Sequence, residues 1–361
     1  MKRLISLILA LLMASPMFAE NLVLLNGTII DGSGNARFVG NVRIQDGEIK
    51  DIGLFKAAAG ETTIDVKGLV VAPGFIDLHS RSAARVQLLQ GITTAVLGQD
   101  GEGPSAIEEY MKPMDLDPIP MNVAAFVGHG TVRRHVMGDD FKRAATADEI
   151  ARMAHEVEGA MREGAFGFSA GLDREPGQYA TTEELIALAK VAAKYGGFFV
   201  TTLRNRSDKV IESVKEAIDI GRKARIAVHI SGLTGASLRI LPLIDQARLQ
   251  GIDVTADVNS DEKAIREFLR NRSVMVAGEA TFPVVPGPSL TLESVVRKMS
   301  GLPAARLSFK QRGVLKKGST ADIVVFDPAG IARGMKYVFI DGVLVIKEGQ
   351  PTEARPGRGL R

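Results

Sequence analysis

Eight short apolar runs recur through the middle of the chain, and polar segments of helical periodicity separate most of them. The runs are VVAPGFIDLH, ITTAVLG, NVAAFVG, AFGFSA, GFFVTTL, IAVHIS, IDVTAD and VMVAG. Between them lie TADEIARMAHEVEGAMREG, TTEELIALAKVAAKYG and SDKVIESVKEAIDIGRKA, with apolar residues three and four apart, as on one helix face. TADE and TTEE are N-terminal helix signals. Strand-like runs alternating with amphipathic helices build parallel sheets from βα units. Eight units over about 210 residues fit a (β/α)8 barrel. A doubly wound open sheet is the alternative, but no GxGxxG follows the first run, so a dinucleotide fold has little support. Only twelve residues separate His79 from Ile92, near the minimum for a crossover, so the first helix should be about two turns long.

Both ends of the chain read differently from this middle. NLVLLNGTIIDGSG and NVRIQDGEIKDIG alternate in the manner of strands, and so do KGSTADIVVFDP and YVFIDGVLVIKEG. Asp46-Gly47 and Asp341-Gly342 each stand between two such runs, a hairpin signal. The expected fold class is α/β, a (β/α)8 TIM-type barrel with one small sheet domain built from both termini. The expected divisions are residues 1–19 as a signal peptide, 20–66 plus 306–361 as the composite β-domain, and 67–305 as the barrel.

The first twenty residues, MKRLISLILALLMASPMFAE, put Lys2 and Arg3 before an apolar stretch of about ten residues and a small-residue segment, a secretory pattern too short to span a bilayer comfortably. A periplasmic or secreted protein is expected, with cleavage after Ala19 and membrane attachment only through an uncleaved leader. The chain has no cysteine, which excludes disulfides and thiolate metal sites. Net charge is +3 with acids and bases interspersed, which argues against a dedicated nucleic-acid surface. With no Trp and 5% aromatic residues, the core must rest on Ala, Val, Leu and Ile.

Barrel enzymes place their chemistry at the C-terminal ends of the strands. Those ends offer His79, Asp100, His129, Thr202 with Arg204, His229 with Gly232, Asp257 and Glu279. Residues two apart on a strand share a face, so His-x-His at the first strand end would aim two imidazoles at one metal. Arg81 stands at the second place, and a guanidinium has no lone pair to donate.

VVAPGFIDLHS, QGITTAVLGQDG, NVAAFVGHGTVR, GAFGFSAGLDREPGQYATTEELIALAKVAAKYGG, VHISGLT and GVLKKGSTADIVVFDP together resemble the N-acyl-D-amino-acid deacylase (D-aminoacylase) branch of the amidohydrolase superfamily. The likeness covers nearly the whole mature chain, in family order. It implies a barrel with a β-sandwich from both termini, zinc as cofactor, and hydrolysis of the non-peptide C–N bond of N-acyl-D-amino acids. Carried over by position, it makes His79 and Asp100 metal ligands, Glu279 the catalytic general base, and Tyr179 and Arg204 substrate-binding residues. It also implies ligand imidazoles where this chain has Arg81, Thr202 and Gly232.

Each residue has a plainer reading beside the functional one. His79 is then a strand-end histidine bonded to backbone, and Asp100 a turn residue before Gly101. His129 is structural, Glu279 is an exposed loop acid, and Arg204 braces the rim. His135 and His155 are surface residues, His229 points away from the site, and RNRSDK is a solvated charge run. Two functions follow. In one the chain is an exported relative that has lost zinc-dependent deacylation, a binding protein or a non-functional remnant; a small N-acyl amino acid or dipeptide-like substrate is expected if the chain is active. In the other it is a hydrolase with a rearranged mononuclear metal site.

Overall fold

The computed structural model describes residues 21–81, 83, 85–258, 262–278, 290–329, 331 and 334–361. The leader and Glu279 lie outside them. Each of the eight apolar runs holds a strand. They are β1 (Phe75–Asp77), β2 (Ile92–Leu97), β3 (Asn122–Ala125, resumed after Phe126 by Val127–Gly128), β4 (Gly167–Gly171), β5 (Phe198–Thr202), β6 (Val228–Leu233), β7 (Val254–Val258) and β8 (Val274–Val276). All their pairings are parallel.

The connecting helices are α1 (Ile107–Leu116), α2 (His129–Met137), α3 (Ala147–Arg162), α4 (Thr182–Lys194), α5 (Val210–Ala224), α6 (Leu241–Leu249) and α7 (Glu262–Phe268), with α8 (Leu292–Met299) and α9 (Gly301–Arg306) after β8. Thr146 and Glu149 close a reciprocal capping box at α3, and the Thr181 side chain caps α4 by accepting from the Glu184 amide. The short first connection is a 3-10 turn, Arg85–Gln90, rather than an α-helix.

The parallel strands form two ladders, one of three strands ending on the first half of β3 and one of six starting on its second half. Among the described residues no ladder joins β8 to β1, so backbone pairing does not draw the closed ring expected from the sequence. The physical reason lies at the seam. β8 has three residues, and the Gly278 amide just beyond it donates to the Asp77 carboxylate of β1 at 2.7 Å instead of to a backbone carbonyl. An apolar cluster drawn from β1, β2, β3, β5 and β8, including Ile76, Leu78, Val96, Phe126, Val200 and Met275, nevertheless packs around one interior.

Strands from both ends of the chain join in a separate sheet of nine, with β-pairing of Val70–Pro73 against Ile323–Phe326 at its centre. The ladders join the nine strands in one continuous sheet, and side chains from both halves share one apolar cluster. Asp46-Gly47 and Asp341-Gly342 each connect two of its strands, and all four residues have positive φ, as the tight primed turn requires.

Candidate active site

The loop Gly98–Gly103 after β2 carries Asp100 to the strand-end face. Its glycines allow backbone to pass against backbone. A Cβ on Gly103 would lie 2.0 Å from the Phe126 carbonyl oxygen, and one on Gly128 would lie 2.3 Å from the Gly103 amide nitrogen. Asp100 itself has φ 60°, a left-handed conformation that Asp tolerates better than most residues.

His79 stands next to it, 7% exposed. Its Nε2 is 3.5 Å from Asp100 Oδ2, and its Nδ1 is 2.7 Å from Ser231 Oγ. The chain of polar contacts continues inward. Ser231 Oγ donates to Asp257 Oδ2 at 2.9 Å, and the same oxygen is 2.8 Å from His229 Nε2. His229 Nδ1 is 2.9 Å from Thr255 Oγ1. Asp257 also accepts from the Gly232 amide at 2.7 Å. Burial works against its charge, but His229, His79 and the Gly232 amide prevail and hold its carboxyl below the ordinary range. An ionised Asp257 only accepts, so the Ser231 proton points to it. Ser231 then receives the Nδ1–H of His79, which turns Nε2 toward Asp100 and the open face.

Burial alone would lower the pKa of His79. Asp100, Asp257 and Asp77 surround it with negative charge, and the imidazole ends above its ordinary value. For Asp100, burial pushes upward, but His79, Arg174 and Arg206 bring it below the usual carboxylate range. Asp77, fully buried beneath His79, accepts from the Gly278 and His79 amides and the Ser80 hydroxyl; burial outweighs these bonds and raises its pKa.

Two arginines crowd this face. Arg174 Nη1 lies 3.2 Å from Asp100 Oδ2. Arg206 Nη1 donates to the Gly232 carbonyl at 3.2 Å, and its Nη2 lies 3.1 Å from Asp173 Oδ2. Thr202 Oγ1 donates to the other Asp173 oxygen at 2.8 Å. Gly232 has φ 71°, and a Cβ built there would sit 3.3 Å from the Arg206 guanidinium. A cavity of about 500 Å³ opens over His79 and Asp100, with Arg81, Glu102, Tyr110 and Arg174 among its walls. Arg81 is exposed, and no ion pair to a described residue involves it.

The structure thus brings together His79 and Asp100 of the residues expected from sequence. It sets Tyr179 and Arg204 apart. The Tyr179 hydroxyl donates to Glu175, and its ring faces Phe141. Arg204 gives four of its five donors to Glu216 and to the Gln178 and Ala180 carbonyls, a bracing arrangement that leaves no pair of donors for a ligand carboxylate. His129 is fully buried, with Nε2 2.8 Å from Glu184 Oε1, and Arg133 pairs with the same carboxylate. His135 and His155 are exposed. Two readings need correction. His229 does not point away from the site, because it shares the inner side with Ser231, where both reach Asp257. Arg206 of RNRSDK is not a solvated charge, because it turns inward onto Gly232 and Asp173. Ser231, Arg174 and Arg206 carry no site signal in the sequence, and Asp257 offers only its place at a strand end.

A zinc hydrolase site needs about three protein ligands and an open position. Among the described residues no three of His, Cys, Asp and Glu converge so as to hold a metal ion. His79 Nε2 and Asp100 are a pair, and the positive charges of Arg174 and Arg206 act on Asp100. The described residues therefore do not fit a three-ligand zinc site.

A family model described as "Amidohydrolase family" matches residues 62–265. The D-aminoacylase of Alcaligenes xylosoxydans xylosoxydans is 29% identical over 94% of this chain and 97% of its own length. The N-acyl-D-glutamate deacylase of the same organism is 27% identical over 94% and 96%. The first alignment runs over 472 positions against a chain of 361 residues, so more than about a hundred positions of that relative face gaps here. Among solved structures, the N-acyl-D-glutamate deacylase of Bordetella bronchiseptica, complexed with zinc and a phosphonate mimic of the tetrahedral intermediate, superposes with a TM-score of 0.85 at 27% identity. It covers 95% of this chain and all of that one. A D-aminoacylase described as defining a novel subset of amidohydrolases gives a TM-score of 0.86 at 25% identity, with the same coverage.

Proposed function

We propose that this chain, which belongs to the amidohydrolase family, binds an N-acyl-D-amino acid or a dipeptide-like molecule at the His79–Asp100 cavity without zinc-dependent deacylation. The carrying observation is the inward turn of Arg206 onto Gly232, where the D-aminoacylase resemblance implies a ligand imidazole. A guanidinium there repels a divalent ion and offers it no lone pair. Arg81 and Thr202 replace two further imidazoles of the resemblance. Arg81 is the exposed cation on the cavity wall and would take the ligand carboxylate through paired donors. Arg204 is committed elsewhere. Export by the leader belongs to the same reading, and a shortened chain in the periplasmic fraction would support it.

The test pairs metal analysis with binding. After dialysis the purified protein should retain far less than one zinc per chain and hydrolyse N-acetyl-D-amino acids no faster than buffer. It should still bind them saturably, and Arg81→Gln should abolish that binding. Stoichiometric zinc with turnover would overturn the proposal. One observation favours a second reading, a mononuclear site of His79, Asp100 and Glu279. Asp100 Oδ1 is buried and has no hydrogen-bond partner, as a ligand oxygen waiting for a cation would be.

A further inference from the structure

A second charged cleft lies at the opposite end of the strands. It measures about 580 Å³ and is lined by the C-terminal part of α6, the starts of β7 and β8, and α8. Arg248, Arg272 and Arg297 stand on its walls with one acid, Asp245, and Thr255 and Ser273 line it from the strands. Arg248 is paired with Asp253, and both Asp245 oxygens accept from the Asn271 amide. Arg272 and Arg297 have no ion pair or hydrogen bond to any described residue, although Arg297 is half-buried and its stem packs against Gly34. Lys298, next to Arg297, is almost fully buried and bonds the Asn271 and Val274 carbonyls that flank Arg272 and Ser273.

Cations gathered around a cleft without matching acids destabilise the chain that holds them, because each repels the others and Arg297 is also partly desolvated. Burial, together with Arg272, lowers the Arg297 pKa, and burial brings Lys298 down to about 7. Two forked guanidiniums and the Ser273 residue lining one space match an oxyanion with several acceptor oxygens, while the Thr255 hydroxyl is taken by His229. We infer that this cleft is an anion site for a phosphate-bearing small molecule, held by Arg272 and Arg297 and oriented by Ser273. It is independent of the His79–Asp100 cavity.

Titration calorimetry of the full chain with pyrophosphate, at about 50 mM salt to limit screening, tests the inference. Saturable binding of one pyrophosphate per chain is expected. Arg272→Gln and Arg297→Gln should each weaken it by about tenfold or more, the effect of losing a charge-assisted hydrogen bond. Arg152→Gln on α3, remote from the cleft, should leave it unchanged. If Arg297→Gln fails to fold, Arg272→Gln carries the test, since Arg272 is exposed. Absence of saturable heat from the native chain would overturn the inference. So would binding that survives Arg272→Gln but disappears in Arg81→Gln, which would place the anion at the other cavity.

Discussion

Two strand ends hold the same three chemical groups, an imidazole, a carboxylate and a guanidinium, with opposite outcomes. At the end of β3, His129, Glu184 and Arg133 have side chains with no exposure at all. One carboxylate takes both partners, and Arg133 also bonds the Phe141 and Arg143 carbonyls. At the end of β1, His79, Asp100 and Arg174 border open space. The His79–Asp100 contact is 3.5 Å, Arg174 is 39% exposed, and one Asp100 oxygen has no partner. The closed trio spends both Glu184 oxygens on holding α2 to α4, although His129 Nδ1 and Arg133 Nε find no partner. An open trio keeps polar capacity for a ligand. Composition alone does not separate a brace from a site; satisfaction of the last oxygen does.

The largest effect should come from breaking the closed trio. Glu184→Gln leaves Arg133 buried without its counter-charge, and loss of one partner of a buried pair costs about 3–5 kcal/mol. Urea unfolding should show this, while Asp100→Asn should cost less than half as much, because water reaches Arg174. Equal losses would erase the distinction.

The next effect concerns metal. Arg81→His, Thr202→His and Gly232→His together should still bind almost no zinc, because Arg206 stays over residue 232 and a side chain at φ 71° is strained by about 1–2 kcal/mol. Adding Arg206→Ala should raise retained zinc to about one per chain, since three imidazoles can then converge. Metal analysis after dialysis decides it; zinc in the triple variant alone would show that Arg206 is no barrier.

A smaller effect should appear in the titration of His79, followed by the NMR signal of its ring. Its folded pKa lies above the unfolded value, so its stabilising contribution is complete below about 6.5 and is lost as pH rises through the folded value. Asp100 has the opposite sign. Its contribution is present above about 3.9 and is lost as pH falls through its lowered folded value. Asp100→Asn should therefore move the His79 midpoint downward. An unmoved midpoint would assign the shift to Asp257 and Asp77 instead. The smallest effect is expected from Arg81→Gln, which should leave the thermal midpoint unchanged within error because the side chain is exposed and has no ion pair among the described residues.

Much of the architecture was legible in the sequence. The eight apolar runs each became a strand, because alternation between strand and helix periods survives any detail of packing. Both DG turns formed, because Asp46, Gly47, Asp341 and Gly342 meet a local conformational demand. The seam between β8 and β1 was not legible. It depends on Asp77 taking the Gly278 amide, a contact across some two hundred residues. The site was legible where a residue acts from its own strand, as with His79 and Asp100. It was obscure where a long side chain crosses between loops. Arg206 and Arg174 lie in polar runs that look solvated, and only the fold turns them inward. His229 illustrates another limit. The positive φ of Gly232 breaks strand alternation just after Ser231, so counting back from Gly232 puts His229 on the wrong side.

The nine-stranded sheet has a consequence for how the chain comes into being. Val70–Pro73 must wait for Ile323–Phe326, its antiparallel neighbour. The wait spans about 250 residues, and at roughly 5–20 residues per second synthesis takes tens of seconds to deliver them. Closing so long a loop adds only a logarithmic entropy penalty, so the sheet is slow more than it is weak. During that interval the apolar edge of Val70–Pro73 has no partner in its own chain. Strands made late therefore complete a sheet begun early, and any factor that shields a strand edge has its most useful moment before Ile323–Phe326 emerges.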